Sequence, residues 1–166
     1  MWRRVQHVAL LHLIPPWSRN LTRREVDRRR LYLTDSGLVA HLLGLTAARL
    51  VPGRDPDHAG PLLEGFAVEQ LRRQAWWSNE EVRLFHYRDY DQREIDLVVE
   101  TPDGRVAAIE TKTSSSIGER DARHLRWFAD KLGDRLVAGA LLHTGSTAVP
   151  LGPRLAALPL SALWMG

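Results

Sequence analysis

Residues 93–112, REIDLVVETPDGRVAAIETK, dictate the architecture that we predict for this chain. Two runs of apolar and β-branched residues, 93–100 and 105–112, flank Thr101-Pro102-Asp103-Gly104, a pattern typical of a β-hairpin. Proline presets the first turn dihedral and glycine accepts a left-handed conformation. The hairpin is therefore predicted to close through a three-residue loop at 102–104, a type I turn followed by a G1 bulge.

That loop fixes a strand register in which Asp96 faces Glu110 and Glu94 faces Lys112. Because side chains alternate between the two faces of a strand, we expect these four residues on one face of the sheet. The opposite face is expected to carry Ile95, Leu97, Val99, Ala107 and Ile109. A turn longer by one residue would place Asp96 and Glu110 on opposite faces, so the cluster depends on this turn type.

The predicted neighbours Asp96 and Glu110 repel each other unless positive charge lies between them, and a hard divalent cation with oxygen ligands commonly supplies it. We therefore expect Mg²⁺ or Mn²⁺ at these carboxylates. In a phosphodiester-cleaving site the metal would activate a water molecule, and Lys112 would stabilise developing charge or orient that water. The alternative is a solvated cross-strand ion pair at a sheet edge, worth less than about 1 kcal/mol.

The spacing of Asp96, thirteen residues, then Glu110-Thr111-Lys112 resembles the PD-(D/E)xK nuclease signature of restriction-endonuclease-like folds. Further segments, in chain order, are similar to a C-terminal domain of unknown function, family 4143, which follows an AAA+ ATPase module in many prokaryotic proteins. These segments are LYLTDSGL (31–38), GPLLEGF (60–66), HYR (86–88), EID (94–96) and LRWF (125–128).

The resemblance implies a Mg-dependent DNA phosphodiesterase with Asp96, Glu110 and Lys112 as catalytic residues. The metal ligands would be Glu64, Asp96 and Glu110, with the backbone carbonyl of Thr111 as a further ligand. DNA is the expected substrate, and an ATPase partner or a preceding AAA+ module is expected too, so the chain looks truncated relative to the family. The alternatives are a catalytically silent nuclease fold that binds DNA or regulates an ATPase, and a protein-docking domain.

Glu64 lies on the apolar stripe of a predicted helix, four and seven residues before Val68 and Leu71. A carboxylate on a buried stripe is unfavourable unless it is paired or bound to metal. A glutamate near a helix N-terminus is also favoured by the helix dipole. The family's acidic position at this helix favours the metal-facing role.

Arginine is concentrated in one short stretch, which is a candidate phosphate-contacting patch or a solvated loop. The net charge is only +3, with a pI of about 9.8, so the excess is local. Arg88 is a further candidate for a phosphate contact, and an ion pair with Asp89 or Glu94 is its alternative. We predict a structural role for His86 and core packing for Tyr87. The arginines of the stretch are Arg19, Arg23, Arg24, Arg28, Arg29 and Arg30.

The chain contains no cysteine, which excludes disulfides, zinc-thiolate sites and a cysteine nucleophile. No apolar run reaches the roughly 20 residues of a membrane span. The apolar run 8–14 ends in Pro15-Pro16-Trp17 rather than at a small-residue cleavage site, so a cytoplasmic protein is expected. No GxxxxGK[ST] phosphate loop is present.

The predicted fold is an α/β domain with a mixed sheet flanked by helices. Residues 1–50 are expected to form a partial winged-helix-like hairpin and a helix capped by Asp35 or Ser36, residues 51–60 a loop, and residues 61–166 the nuclease-like domain. Within that domain, a helix from Pro61 to about Trp76 precedes the strands 82–88, 93–100 and 105–112. A helix at 119–132 then leads to a strand at 136–143 that must run parallel to strand 105–112, and the tail adds one short strand.

Overall fold

The computed structural model describes residues 10–18, 29–51 and 55–165. It contains a mixed six-stranded sheet with helices on both faces, which confirms the predicted α/β class. In chain order the elements are β1 (Leu11–Ile14), β2 (Arg30–Leu33), α1 (Ser36–Leu42), α2 (Pro56–Trp77), β3 (Arg83–Arg88), β4 (Glu94–Glu100), β5 (Val106–Lys112), α3 (Arg123–Leu132), β6 (Leu136–His143), β7 (Val149–Gly152) and β8 (Leu155–Pro159).

The six strands lie in the order β3-β4-β5-β6-β8-β7, and β1 and β2 form a separate antiparallel hairpin. The neighbours β3, β4 and β5 are antiparallel, whereas β5, β6 and β8 are parallel. Helix α3 is the crossover that parallel strands require, so the predicted direction of β6 is confirmed. The tail forms two strands, β7 and β8, where a single strand was predicted.

Two apolar cores lie on opposite faces of the sheet. On one face, Ala67 and Val68 of α2 pack with Leu97 and Ile109. On the other face, Leu125, Phe128 and Leu132 of α3 pack with strand residues. The predicted apolar stripe of α2 is therefore confirmed, since Val68 lies in this core and Leu71 packs against it.

The N-terminal hairpin contributes to both cores. Ile14 and Tyr32 belong to the core beside α2. Trp17 belongs to the core beside α3, where its ring centroid lies 5.6 Å from that of Phe128. A parallel bridge between Pro16 and His86 joins this segment to β3. The tip between β1 and β2, with most of the arginine cluster, lies outside the described residues.

Helix boundaries differ from the predicted ones at two places. Helix α2 begins at Pro56 rather than Pro61, so five residues of the predicted loop are helical, with proline at the first helical position where it is well tolerated. Helix α3 begins at Arg123, and the preceding residues 119–122 form turns. Helix α1 starts as predicted, since the Asp35 carboxylate accepts the Leu38 amide at 2.9 Å.

The β4–β5 turn has the predicted geometry. The Thr101 amide donates to the Arg105 carbonyl at 3.0 Å, and Gly104 has a φ of 85°. The pairs from Glu100↔Val106 to Leu97↔Ile109 follow the predicted register. No helix in the described ranges combines the length and the apolar character that crossing a bilayer requires.

Candidate functional site at the diverging ends of β4 and β5

A β-bulge in β4 changes the face on which Asp96 lies. Phe85 pairs with Val98 and Tyr87 pairs with Ile95, so one β3 residue opposes two β4 residues, Asp96 and Leu97. A bulge of this kind breaks the alternation of side chains and redirects them. As a result Ile95 packs in the same core as Val98, beside α3, whereas it was predicted on the face of Leu97.

The predicted pairing of β4 with β5 stops at Leu97↔Ile109. Beyond that point the Asp96 carboxylate accepts the Thr111 amide at 2.8 Å and the Thr111 hydroxyl at 3.0 Å. Glu94 pairs with Arg88 of β3 rather than facing Lys112. The predicted pairs of Asp96 with Glu110 and of Glu94 with Lys112 are therefore wrong. Because of the bulge, the Asp96 carboxylate, rather than a backbone carbonyl of β4, accepts the Thr111 amide.

Asp96 and Glu110 do not share one face of the sheet, as the sequence had predicted. Glu110 lies level with Leu141 of β6, which belongs to the core beside α3. Asp96 contacts Arg30 and Thr111 on the side of α2. The correction follows from the bulge, which leaves β5 regular and turns only the β4 side chain over.

Both carboxylates nevertheless border one cleft of about 340 Å³, because β4 and β5 separate at this end of the sheet. The cleft lies at the carboxyl end of β5, the position at which open α/β sheets commonly bind ligands. Its ionisable lining residues are Glu64, Glu94, Asp96, Glu110, Lys112 and His124. An apolar pocket of about 230 Å³ beside α2 has no ionisable group in its lining.

Arg30 of β2 bridges three of the carboxylates. Its Nη1 donates to Glu64 at 2.6 Å and to Asp96 at 3.4 Å, and its Nη2 donates to Glu94. Burial by itself would lower the pKa of Arg30, but the charges of Glu64 and Asp96 raise it above its ordinary value. The guanidinium is thus a firmly charged counter-ion between α2 and β4.

Glu64 carries a second contact from the hairpin, since the Tyr32 hydroxyl donates to the same Oε1 that accepts from Arg30. Burial, and then the charge of Asp96, raise the pKa of Glu64, while Arg30 and Tyr32 act in the opposite direction. Burial and the Glu64 charge also raise the pKa of the Tyr32 phenol. Tyr32 therefore acts as a hydrogen-bond donor to Glu64.

Glu110 is the most deeply buried carboxylate of the cleft, with 3% of the residue exposed. Its Oε1 is buried and has no hydrogen-bond partner among the residues that the structure describes, and its Oε2 lies 3.9 Å from the Lys112 Nζ, too far for a hydrogen bond. Burial raises the pKa of Glu110 to about 8, with Lys112 opposing and Asp96 adding to the rise. An additional positive charge beside this oxygen would favour its ionised form.

The carboxylates of the cleft are chemically suited to bind a hard cation, but they lie too far apart to surround one in this conformation. Within the described ranges no three acidic or histidine side chains stand close enough together to enclose a metal ion in this conformation. The unpartnered oxygen of Glu110 and the carboxylates of Glu64 and Asp96 are nevertheless the oxygen donors that Mg²⁺ and Mn²⁺ select. These three residues would hold the ion if the Arg30 side chain moved away from Glu64 and Asp96.

The remaining residues that were predicted to contact nucleic acid or to pack in the core lie outside this cleft or outside the described residues. Arg88 forms the ion pair that was its alternative role, with its Nε 3.1 Å from Glu94 Oε1. Tyr87 is buried against Trp17 and Phe128, as expected for packing. The candidate nucleic-acid contacts Arg23, Arg24 and Arg28 lie outside the described residues.

Sequence reasoning missed the roles of Arg30, Tyr32 and His124 at the cleft. Arg30 had been assigned to the basic cluster, yet its side chain is only 20% exposed. The alternation of Arg30 and Tyr32 along one strand was the available signal, because residues two apart share a face. His124 lies in the first turn of α3. Burial, and then the charges of Arg123 and Lys112, lower the pKa of His124.

Comparison with known proteins identifies relatives and families that this chain matches. An uncharacterized protein of Mycobacterium bovis and one of Mycobacterium tuberculosis are each 30% identical to it over 146 residues. The match covers 88% of this chain and 31% of each relative, so the chain spans about a third of their length. Residues 6–49 match a family described as Domain of unknown function (DUF8612). Residues 59–163, which include the whole six-stranded sheet, match the family described as Domain of unknown function (DUF4143), and the chain belongs to that family.

Proposed function

We propose that this domain is a metal-dependent phosphodiesterase with a restriction-endonuclease-like core that acts on DNA. The observation that carries the proposal is Glu110, a buried carboxylate with an oxygen that no described residue pairs with, in the same cleft as Glu64, Asp96 and Lys112. Such a group is unfavourable in a purely structural setting. It is favourable where a bound cation completes its coordination.

Each residue of the cleft has a distinct part in this proposal. Glu64, Asp96 and Glu110 would hold Mg²⁺ or Mn²⁺, and the Thr111 carbonyl is a further candidate ligand. The metal would polarise a phosphoryl oxygen and lower the pKa of an attacking water. Lys112, with 40% of its side chain exposed, is free to approach the phosphate and stabilise its developing charge. The Thr111 bonds fix the orientation of Asp96.

DNA as substrate and an AAA+ ATPase as partner are part of the same proposal. Their support is the sequence resemblance and the length of the relatives, of which this chain covers 31%. The arginines that lie between β1 and β2 in the sequence supply positive charge of the kind that contacts phosphates.

The test measures divalent metal binding by calorimetry and plasmid nicking with Mg²⁺ or Mn²⁺. The variants are Glu110→Gln, which keeps the size of the side chain, and Asp96→Asn. Glu80→Gln is the matched control, because Glu80 is an exposed carboxylate outside the cleft. We expect metal-dependent nicking by wild type and Glu80→Gln and a loss of at least 100-fold in both cleft variants, in the range of removing a major electrostatic contribution.

A second candidate function is a catalytically silent nuclease fold that binds DNA or a partner protein. The observation favouring it is Arg30, which already neutralises part of the carboxylate charge without metal. If wild type binds no divalent metal at millimolar concentration and leaves plasmid intact, the hydrolase proposal fails. DNA binding by the same protein, measured by fluorescence anisotropy over a salt series, would then support the silent module.

A further inference from the structure

Arg30 occupies the place where the carboxylates of α2 and β4 converge. One guanidinium is shared by Glu64, Glu94 and Asp96, at 2.6 Å from the first and 3.4 Å from the last. Glu64 and Asp96 are two of the three groups proposed to hold the metal. The Arg30 guanidinium and a metal ion would therefore compete for the same carboxylate oxygens.

The β1–β2 hairpin delivers this guanidinium to the cleft. Arg30 and Tyr32 lie on the same face of β2, and both donate to Glu64. Tyr32 is packed in the core beside α2, which anchors the strand, whereas Leu31 between them is 46% exposed. Arg30 is the first residue of β2, so its side chain can leave the cleft without unpacking Tyr32.

A divalent cation and the guanidinium cannot both bind these carboxylates without repelling each other. The Arg30 hydrogen bonds use the oxygen lone pairs that a metal would take, and charge-assisted bonds of this kind are strong. Any metal that binds must therefore displace Arg30 or bind with reduced affinity. Thermodynamic linkage makes the effect reciprocal, because a metal that weakens the Arg30 contacts is itself weakened by them.

We propose that Arg30 and a divalent metal ion compete for Glu64 and Asp96, so that the Arg30 side chain regulates metal loading of the site. The inference rests on the proposed function, since it takes the cleft to be a metal site. In the metal-free protein Arg30 closes the carboxylate cluster. Metal binding releases the Arg30 guanidinium from these carboxylates, and a phosphate can then accept its hydrogen bonds.

The test compares Mn²⁺ affinity, measured by calorimetry, in wild type, Arg30→Gln and the matched control Arg88→Gln. Arg88 is also paired with Glu94 but contacts neither Glu64 nor Asp96. We expect Arg30→Gln to bind Mn²⁺ at least tenfold more tightly than wild type, within the usual range of coupling between sites. Arg88→Gln should change the affinity less than threefold.

Two additional variants keep the result interpretable. Tyr32→Phe removes one bond to Glu64 and leaves Arg30 in place, so it should tighten Mn²⁺ binding less than Arg30→Gln does. Should Arg30→Gln fail to fold without metal, Arg30→Lys retains one charge but cannot bridge three carboxylates, and it should also bind Mn²⁺ more tightly than wild type. Circular dichroism with and without Mn²⁺ provides a second readout, in which metal raises the melting temperature of Arg30→Gln more than that of wild type.

The outcomes separate this inference from the proposed function. Equal Mn²⁺ affinity in wild type and Arg30→Gln, or weaker affinity in the variant, overturns the competition and leaves the metal site intact. Absence of Mn²⁺ binding in every variant overturns both the competition and the metal-dependent hydrolase. Binding by Arg30→Gln alone supports the competition and shows that Arg30 holds the wild-type site closed.

Discussion

Replacing Glu110 by glutamine should change the pH dependence of stability of the metal-free protein. Burial raises the pKa of Glu110 from 4.5 to about 8 in the folded chain. The folded state therefore holds this proton more tightly than the unfolded state does. The resulting contribution to the free energy of unfolding is fully present below pH 4.5 and is lost as the pH rises through about 8.

The magnitude follows from the linkage relation. Each unit of pKa difference corresponds to about 1.4 kcal/mol, so wild type should lose up to about 4 kcal/mol between pH 5 and pH 8 relative to a variant that cannot titrate at this position. For a domain of this size the same change lowers the melting temperature by roughly 10 °C. Glutamine keeps the shape of the protonated carboxyl group, and any difference in its packing is independent of pH.

The assay is urea unfolding followed by tryptophan fluorescence at several pH values from 5 to 9, with a chelator present. Wild type, Glu110→Gln and the surface control Glu80→Gln are compared at each pH. We expect Glu110→Gln to gain stability over wild type as the pH increases, and Glu80→Gln to run parallel to wild type. A difference between wild type and Glu110→Gln that stays constant from pH 5 to pH 9 would refute the reasoning, because Glu110 would then titrate as a solvated carboxylate.

Three further substitutions test the packing that positions the site. Gly139→Ala should cost about 1–3 kcal/mol in urea unfolding, since a Cβ there would lie 2.4 Å from Leu155 Cδ2 and 3.3 Å from Leu125. Gly60→Ala is its matched control, because this position in helix α2 has open space around it. We expect the free energy of unfolding to increase by up to about 1 kcal/mol from helix propensity. A loss of stability comparable to that of Gly139→Ala would contradict the packing argument. Asp35→Ala removes the cap on the Leu38 amide and should cost about 1 kcal/mol in the same assay; an unchanged midpoint would show that the cap contributes nothing.

Much of the fold could be predicted from local patterns. Gly104 and Pro102 specify the turn between β4 and β5, and the pairs nearest the turn form as predicted. The apolar spacing of α3 places Leu125, Phe128 and Leu132 inward without reference to the rest of the chain. These features depend on residues close in sequence, whose steric preferences are nearly independent of the remaining structure.

For the candidate site, the sequence could predict some of the residues that line the cleft but not how they are oriented. Glu64, Asp96, Glu110 and Lys112 do line one cleft, because the start of β4, the end of β5 and the first half of α2 meet at one end of the sheet. Their relative orientation could not be predicted, since the extra residue of the bulge appears only when β4 is paired with β3. Periodicity assumes an uninterrupted alternation, and a single bulge reverses the face of every residue beyond it.

The sequence thus sets the strands, the turn and the acidic side chains that reach the open end of the sheet, because these follow from backbone preferences and short-range alternation. Tertiary contacts alone set the electrostatics of the cleft. Arg30 is 34 residues from Glu64 and 66 from Asp96 along the chain, and no local pattern links them. The burial that raises the pKa of Glu110 likewise arises from tertiary packing around β5, which no short stretch of sequence contains.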